Sequence, residues 1–308
     1  VKTAFIIKPI TASRRRQRFL DAMALFRIAN PQTTILEWYT SETGESTARL
    51  LAVKAVRNRC FRIILVGGDG ILNQGLNGIL EAGNGTVPPD LAVGVIPAGT
   101  GNDFAWALGI PRDIEQAFQI LQTGRLQSVD LGQVNGRFFF NSVSFGSDAD
   151  INRRADSLKG AYPVLPGNSG YLLAALKELY DGPNRYQISI EGDELNRSGP
   201  LTLLAITNGS RYGGLFKINP RAVIDDGLLD LCYIKPLQRL RALNVLGRTI
   251  KGTHGCLREV GFCRLAGQLT VSSEIPLPYE VDGEILAAQR LYTVSVHPKA
   301  IRMLVPAS

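Results

Sequence analysis

Arg62-Ile63-Ile64-Leu65-Val66-Gly67-Gly68-Asp69-Gly70-Ile71-Leu72-Asn73 reads as a buried strand that runs straight into glycines and then into a helix. Glycines at such a junction let backbone N–H groups approach phosphate oxygens, and the helix N-terminus adds partial positive charge. Asp69 sits among those amides, where a carboxylate can position Mg²⁺ beside phosphate oxygens. The same four residues also suit a plain strand-to-helix turn with Asp69 as a cap. A second element repeats the logic: the strand Leu91 to Ile96 leads into Pro97-Ala98-Gly99-Thr100-Gly101-Asn102-Asp103-Phe104-Ala105. Both loops follow strands of one sheet, so they are expected side by side at its carboxyl edge, where α/β folds bind ligands. Neither has the Lys-Ser/Thr ending of a P-loop or the G-x-G-x-x-G spacing of a dinucleotide fingerprint.

Outward from these loops, strand-sized runs alternate with helical periodicity: Ala4 to Ile7, Ser13 to Ala29, Thr34 to Tyr39, Ser46 to Arg57, Arg62 to Val66, a helix after Asp69, Leu91 to Ile96, and a helix capped by Asp113 and ended by Gly124. This alternation predicts βαβ units and a mainly parallel sheet. Ser13 is expected to cap its helix, with Phe19, Met23 and Phe26 on the buried face. After about Val129 the texture changes to closely spaced strands, Ser128 to Val134, Arg137 to Val143, Tyr186 to Glu191, Leu201 to Ile206, Leu228 to Ile234, Gln268 to Ser272 and Leu291 to His297. They predict an antiparallel sandwich or barrel. Two helical patterns interrupt it, Gly170 to Tyr180 and Pro236 to Lys251, and the domain boundary falls near residue 130.

Of the 308 residues, 45% are hydrophobic and 20% charged, which excludes a disordered or fibrous chain. No apolar stretch approaches the roughly 20 residues that cross a bilayer. The first residues read as a strand rather than a secretory leader, so the expected location is the cytosol. Cys60, Cys232, Cys256 and Cys263 lack zinc-site spacing and read as reduced thiols. Lys plus Arg is 34 against Asp plus Glu at 27, a net charge of +7 that favours anionic partners. Nucleic acid, nucleotides and an acidic membrane surface all satisfy that charge, as does a solvated basic surface.

The ordered set Gly67-Gly68-Asp69-Gly70, Gly99-Thr100-Gly101-Asn102-Asp103-Phe104, Val129-Asp130-Leu131-Gly132, Gly213-Gly214 with Pro220-x-Ala222-x-x-Asp225-Asp226-Gly227-x-Leu229-Asp230-Leu231, and Val281-Asp282-Gly283-Glu284 resembles the diacylglycerol kinase and sphingosine kinase catalytic-domain superfamily, most closely the bacterial YegS-type lipid kinases. The resemblance covers nearly the whole chain. It implies a Rossmann-like α/β ATP-binding domain at 1–129, onto which about 297–308 packs back, and a β-sandwich lipid- and metal-binding domain with helical insertions at 130–296, with a cleft between them. The activity implied is transfer of the γ-phosphate of ATP, with Mg²⁺, to a lipid hydroxyl such as that of diacylglycerol, giving phosphatidic acid. By the same resemblance Thr40, Gly67, Gly68, Asp69, Gly70, Ile71, Leu72, Asn73 and Thr100 hold the nucleotide, and Gly99, Gly101 and Asn102 of the second loop are expected to join them. Asp226, with the carbonyls of Val223 and Leu228, holds Mg²⁺; Glu284 is the general base; and Asp130 belongs to the same polar network. From its place among the loop amides, Asp69 is the candidate for the catalytic Mg²⁺, through water or directly. From spacing alone, Asp225-Asp226-Gly227 is an ordinary turn and Asp282-Gly283 a hairpin turn.

The chain departs from the family at Lys8-Pro9, where Asn-Pro is usual, and at Ile71, Gln74 and Leu215. The Arg14-Arg15-Arg16-x-Arg18 cluster and the segment Arg239 to Lys251 suit either solvated faces or attraction of anionic headgroups or nucleotide. The partners implied are a lipid substrate at an anionic membrane surface, visited transiently from the cytoplasm, with no nucleic acid and with a homodimer left open. Two other functions remain as alternatives: an NAD kinase-like enzyme, which shares the Gly-Gly-Asp-Gly loop, and a non-catalytic lipid- or nucleotide-binding regulator.

Overall fold

The computed structural model describes residues 1–41, 47–161, 173–178, 182, 184–192 and 195–307. The chain forms two compact units, Val1–Val129 with Lys299–Ser308, and Asp130–Pro298.

In the first unit, β1 (Lys2–Ile7), β2 (Thr34–Tyr39), β3 (Arg62–Gly67) and β4 (Ala92–Pro97) form a parallel sheet in the order β4-β3-β1-β2. β3 and β4 are apolar almost throughout and buried, as strands covered on both faces must be. The helices are α1 (Ser13–Ala29), α2 (Ala48–Arg57), α3 (Asp69–Ala82), α4 (Asp103–Ala107) and α5 (Ile114–Thr123). Phe19, Met23 and Phe26 of α1 are buried as their spacing predicts. Phe26 meets Phe5 edge-on at 5.6 Å, and Phe118 of α5 lies 5.7 Å from Phe19 and 5.8 Å from Phe26. Each such side chain contributes about 1.5–3 kcal/mol by leaving water.

Helix ends follow local chemistry, with one correction. Asp113 accepts from Gln116 N at 3.0 Å, and Gly124 closes α5, as expected. Ser13 does not cap α1: it is the first helical residue, and Ala12 takes the cap position without a side-chain bond. Thr47 caps α2, while Ser46 lies outside the described residues.

The second unit holds β6 (Arg137–Phe139), β7 (Ser142–Gly146), α6 (Ser147–Ala161), β8 (Tyr186–Gly192), β9 (Asn196–Leu201), β10 (Leu203–Thr207), β11 (Leu229–Ile234), α7 (Arg239–Lys251), β12 (Val260–Leu265) and β13 (Gln268–Val281). The chain enters it along β5 (Arg125–Val134) and leaves along β14 (Glu284–Val305), whose Met303 pairs in parallel with Val93 of β4. The strands β12-β11-β10-β7-β13-β14 are antiparallel neighbours. β13 closes the sandwich: Leu269–Ser272 pair with β8, whereas Tyr279–Val281 pair with β7, with irregular register between the two stretches. Its core includes Phe145, Tyr279 and Tyr292, stacked or edge-on at 4.6–6.0 Å.

Several strand bounds move from their sequence positions for identifiable reasons. Arg137 to Val143 is two strands because the Asp282 carboxylate takes the N–H groups of Phe140, Asn141 and Ser142 at 2.9–3.0 Å, which bends the chain there. Leu201 to Ile206 breaks at Thr202, whose carbonyl accepts from Ser147 N at the start of α6. β13 runs through Pro276 and Pro278 at its irregular stretch, where proline is tolerated. Of the helical pattern Gly170 to Tyr180, 173–178 are helical and the rest lies outside the described residues.

Candidate functional site

Four parallel strands bring their following loops to one edge. Ile7 is opposite Tyr39 and Val66, and Gly67 is opposite Pro97. The chain leaves β1 toward β2 and leaves β3 toward β4 in the other direction, so the edge between β1 and β3 is a topological switch point, the usual binding crevice of such sheets. The backbone of Lys8 crosses this point, its N–H donating to Val66 O at 2.9 Å. Thr40 stands half-buried at the same edge just beyond β2, its N–H bonded to Ile7 O.

The two glycine loops touch backbone to backbone. A Cβ on Gly99 would lie 2.4 Å from Gly68 Cα, and one on Gly68 would lie 3.0 Å from Gly99 Cα, so a side chain at either position would push the loops apart. Asn102 locks the second loop, accepting from Gly99 N at 3.0 Å and donating to Gly99 O at 2.7 Å, in the left-handed conformation that asparagine tolerates. Asp69 begins α3 without capping it. Its Oδ1 instead accepts from Phe104 N at 3.2 Å and so caps α4 across the two loops, while its Oδ2 faces Gly101. Ile71 N and Leu72 N turn back onto Gly68 O, leaving the amides of Asp69 and Gly70 at the helix start as donors. The side chains of Ile71, Leu72 and Asn73 are buried behind the turn. Gly70 and Thr100 are exposed, with open space above Gly70.

Two arginines grip the second loop. Arg15 Nη2 donates to Pro97 O at 2.7 Å, and Arg112 Nη2 donates to Thr100 O and Gly101 O at 3.1 and 2.7 Å. Burial, and then the neighbouring Arg112 and Arg18, hold Arg15 below the usual guanidinium pKa. Like charges held close together mark an edge that suits an anion. Arg18 is spent differently, paired with Asp113 and Glu115. Arg112 was invisible in sequence because Pro111-Arg112-Asp113 reads as a linker ahead of a cap.

In the second unit each candidate carboxylate has a structural partner. Asp130 is fully buried, and its Oδ2 accepts from Gly227 N at 2.6 Å, tying β5 to the Asp225-Asp226-Gly227 turn. Asp226 Oδ1 accepts from Leu228 N, and Oδ2 lies 3.9 Å from Arg264, which also pairs with Asp230 at 3.3 Å. Val223 is exposed and Leu228 half-buried. Among the described residues no cluster of three His, Cys, Asp or Glu side chains could hold a metal, so carbonyl oxygens would have to complete any site at Asp226. The setting fits a hard cation: Asp230 Oδ2 is buried with no hydrogen-bond partner, and burial followed by the charge of Asp226 raises the Asp230 pKa despite Arg264. Asp282 and Gly283 both have positive φ, 48° and 83°, the two-residue hairpin turn that their sequence favours. Glu284 follows, half-exposed, in an ion pair with Arg137 at 2.5 Å.

A buried acid cluster went unread in the sequence. Ser144 Oγ lies 2.6 Å from Asp148 Oδ2 and 3.0 Å from Glu280 Oε1. One hydroxyl proton serves only one of these carboxyls, and burial together with the Asp148 charge pushes the Glu280 pKa well up. Burial and the same acids also raise Tyr212. The available signal was polar residues inside apolar strands, Val143-Ser144-Phe145 opposite Tyr279-Glu280-Val281. Asp148 and Tyr212 also line a cavity of about 90 Å³ whose other walls are mainly apolar, among them Phe216, Leu237, Val245 and Leu246. Glu178, on its wall, pairs with Arg154 at 2.9 Å.

A family model for the diacylglycerol kinase catalytic domain matches residues 2–134, and one for the YegS C-terminal NAD kinase beta sandwich-like domain matches residues 141–305. The chain belongs to the diacylglycerol kinase family. It is 33% identical to a "Probable lipid kinase YegS-like" of Pseudomonas aeruginosa, over 87% of this chain and 83% of that one. It is 30% identical to a diacylglycerol kinase of Bacillus subtilis, over 80% of each chain. A crystal structure of a diacylglycerol kinase from Bacillus anthracis shares the fold, with a TM-score of 0.74 at 18% identity over 99% of this chain and 96% of that one. Membership makes this diacylglycerol kinase relative a phosphotransferase with an alcohol group as acceptor, and decides for the lipid kinase over the NAD kinase and the non-catalytic regulator. No described helix is long and apolar enough to cross a membrane.

Proposed function

We propose that the protein transfers the γ-phosphate of ATP to the hydroxyl of a diacylglycerol-like lipid, giving phosphatidic acid. The observation that carries this reading is the contact of Gly68 with Gly99, which sets two amide-rich loops and Asp69 at one sheet edge. Phosphoryl transfer asks the protein mainly for positioning and charge neutralisation. The amides at the start of α3 and the loop Gly99–Asn102 bind phosphate oxygens, with Thr40 beside them and with Arg15 and Arg112 supplying positive charge. Asp69 would hold Mg²⁺, which would supply neutralising positive charge beside the phosphates. Glu284 accepts the proton of the lipid hydroxyl, released from Arg137 as substrate enters. Asp130 positions the turn at Gly227. Asp226, with the carbonyls of Val223 and Leu228, would hold a second cation that would support the second unit and enter no step of the transfer. The apolar cavity beside Asp148 and Tyr212 takes part of an acyl chain. The protein would work from the cytoplasm at an anionic membrane surface.

The test is label transfer from γ-labelled ATP into a lipid extract in mixed micelles. A labelled lipid that vanishes in Asp69→Ala and Glu284→Ala supports the reading. No labelled lipid from folded protein supplied with Mg²⁺ would overturn it, and NADP formation from NAD would assign the transfer to another acceptor.

A further inference from the structure

The stretch 235–258 carries six cations, Lys235, Arg239, Arg241, Arg248, Lys251 and Arg258, and no Asp or Glu. Most of it is α7, which has two distinct faces. Ala242, Val245 and Thr249 are buried, and with Leu246 they wall the apolar cavity. On the opposite face Leu240 is 82% exposed and Leu243 46% exposed, three residues apart and so side by side on the helix surface. Cations flank them on the same helix. Glu259 pairs with Arg258 at 3.3 Å and with Arg241 at 3.5 Å, and so offsets part of this charge. Paired exposed leucines framed by basic side chains are the chemistry of a helix lying in a lipid headgroup layer, apolar residues toward the acyl chains and cations toward anionic headgroups. One soluble-protein explanation accounts for part of the charge, since Arg248 and Lys251 in the last turn complement the helix dipole. It does not account for two exposed leucines on the outer face.

We propose that the outer face of α7 is the surface by which this protein lies on an anionic bilayer, with Leu240 and Leu243 entering the acyl boundary. The same helix then has membrane on one face and the acyl-chain cavity on the other, so a lipid moves around or beside it rather than through water. This rests on the lipid-kinase reading above and names the docking surface that the reading leaves open.

The experiment is co-sedimentation of the full chain with vesicles of phosphatidylcholine alone or with phosphatidylglycerol added, at low and high salt. The unaltered protein pellets with the phosphatidylglycerol vesicles and is released by salt. Leu240→Asp with Leu243→Asp weakens that binding at least about tenfold, and Arg239→Glu with Lys251→Glu abolishes the preference for the anionic lipid. The leucine pair leaves phosphorylation of diacylglycerol in detergent micelles within about twofold of the unaltered protein, because micelles present substrate without a bilayer. Binding that is equal on both vesicles, or unchanged in both variants, overturns the proposal. So does a dimer that the leucine pair converts to a monomer, which would mean that a second copy covers this face. If binding behaves as stated but no lipid is ever phosphorylated, the docking surface stands and the kinase reading falls.

Discussion

The carboxyl edge of the first unit and the acidic turns of the second carry the same kind of family motif, yet the two are built differently. At the first, the decisive residues are glycines whose missing side chains let Gly68 and Gly99 touch, and Asp69 keeps one oxygen turned to the loop. At the second, the carboxylates are already at work in the fold: Asp282 holds three amides, Asp130 holds Gly227 and Asp226 holds Leu228. Asp282 is thus scaffolding, and on the function proposed above its neighbour Glu284 carries the chemistry, so that the two divide the labour. Substitutions separate the two roles.

The largest expected effect is at Asp69. Asp69→Asn keeps the cap on Phe104 N but removes the charge, and should lower kcat about a thousandfold in the label-transfer assay; a loss under tenfold would reduce Asp69 to a structural cap. Next come the two acids of the hairpin, which should respond in opposite ways. Glu284→Gln should lower kcat by about a hundredfold while thermal unfolding shifts by less than ~1 kcal/mol, since its pair with Arg137 is half-exposed. Asp282→Ala should cost about 2–4 kcal/mol of stability, because three N–H groups lose a charged acceptor. Should Glu284→Gln prove the more destabilising of the two, the division of labour drawn here would be wrong. At Arg112, substitution by alanine should raise the KM for ATP about tenfold with kcat little changed, as expected for a group that binds phosphate throughout the reaction.

The smallest effect is one of pH. Glu280 titrates higher in the folded than in the unfolded chain, so across the interval above the ordinary carboxylate range the folded state holds the extra proton and stability falls as pH rises. Glu280→Gln removes that dependence. Chemical denaturation of the two proteins between about pH 5 and pH 8 should show a shallower slope for the variant, and parallel slopes would mean that Glu280 is ionised where it lies.

Much of this was legible beforehand, and the exceptions have physical causes. The βαβ alternation, the buried face of α1, the Asp113 cap and the meeting of the two glycine loops follow from short-range rules of spacing and turn chemistry. What escaped depended on contacts distant in sequence. The break between β6 and β7 needs Asp282, about 140 residues away, and the length of β13 comes from pairing with two different strands. Arg112 gains its meaning from the carbonyls of Thr100 and Gly101, and the Ser144–Glu280 pair from strand register. Ser13 looked like a cap because serine prefers that position, but the helix starts one residue earlier than the preference requires.

The central claim is that nucleotide is held by the glycine edge and not by the acidic turns. It is tested most directly by calorimetric titration of ATP, with Mg²⁺ present, into the unaltered protein, Gly99→Ala and Asp226→Ala, with folding of each checked by thermal unfolding. The account predicts that Gly99→Ala, whose new Cβ meets Gly68 Cα, weakens binding at least about a hundredfold while Asp226→Ala binds within about threefold of the unaltered protein. Nucleotide binding that survives in folded Gly99→Ala and is lost in folded Asp226→Ala would contradict it.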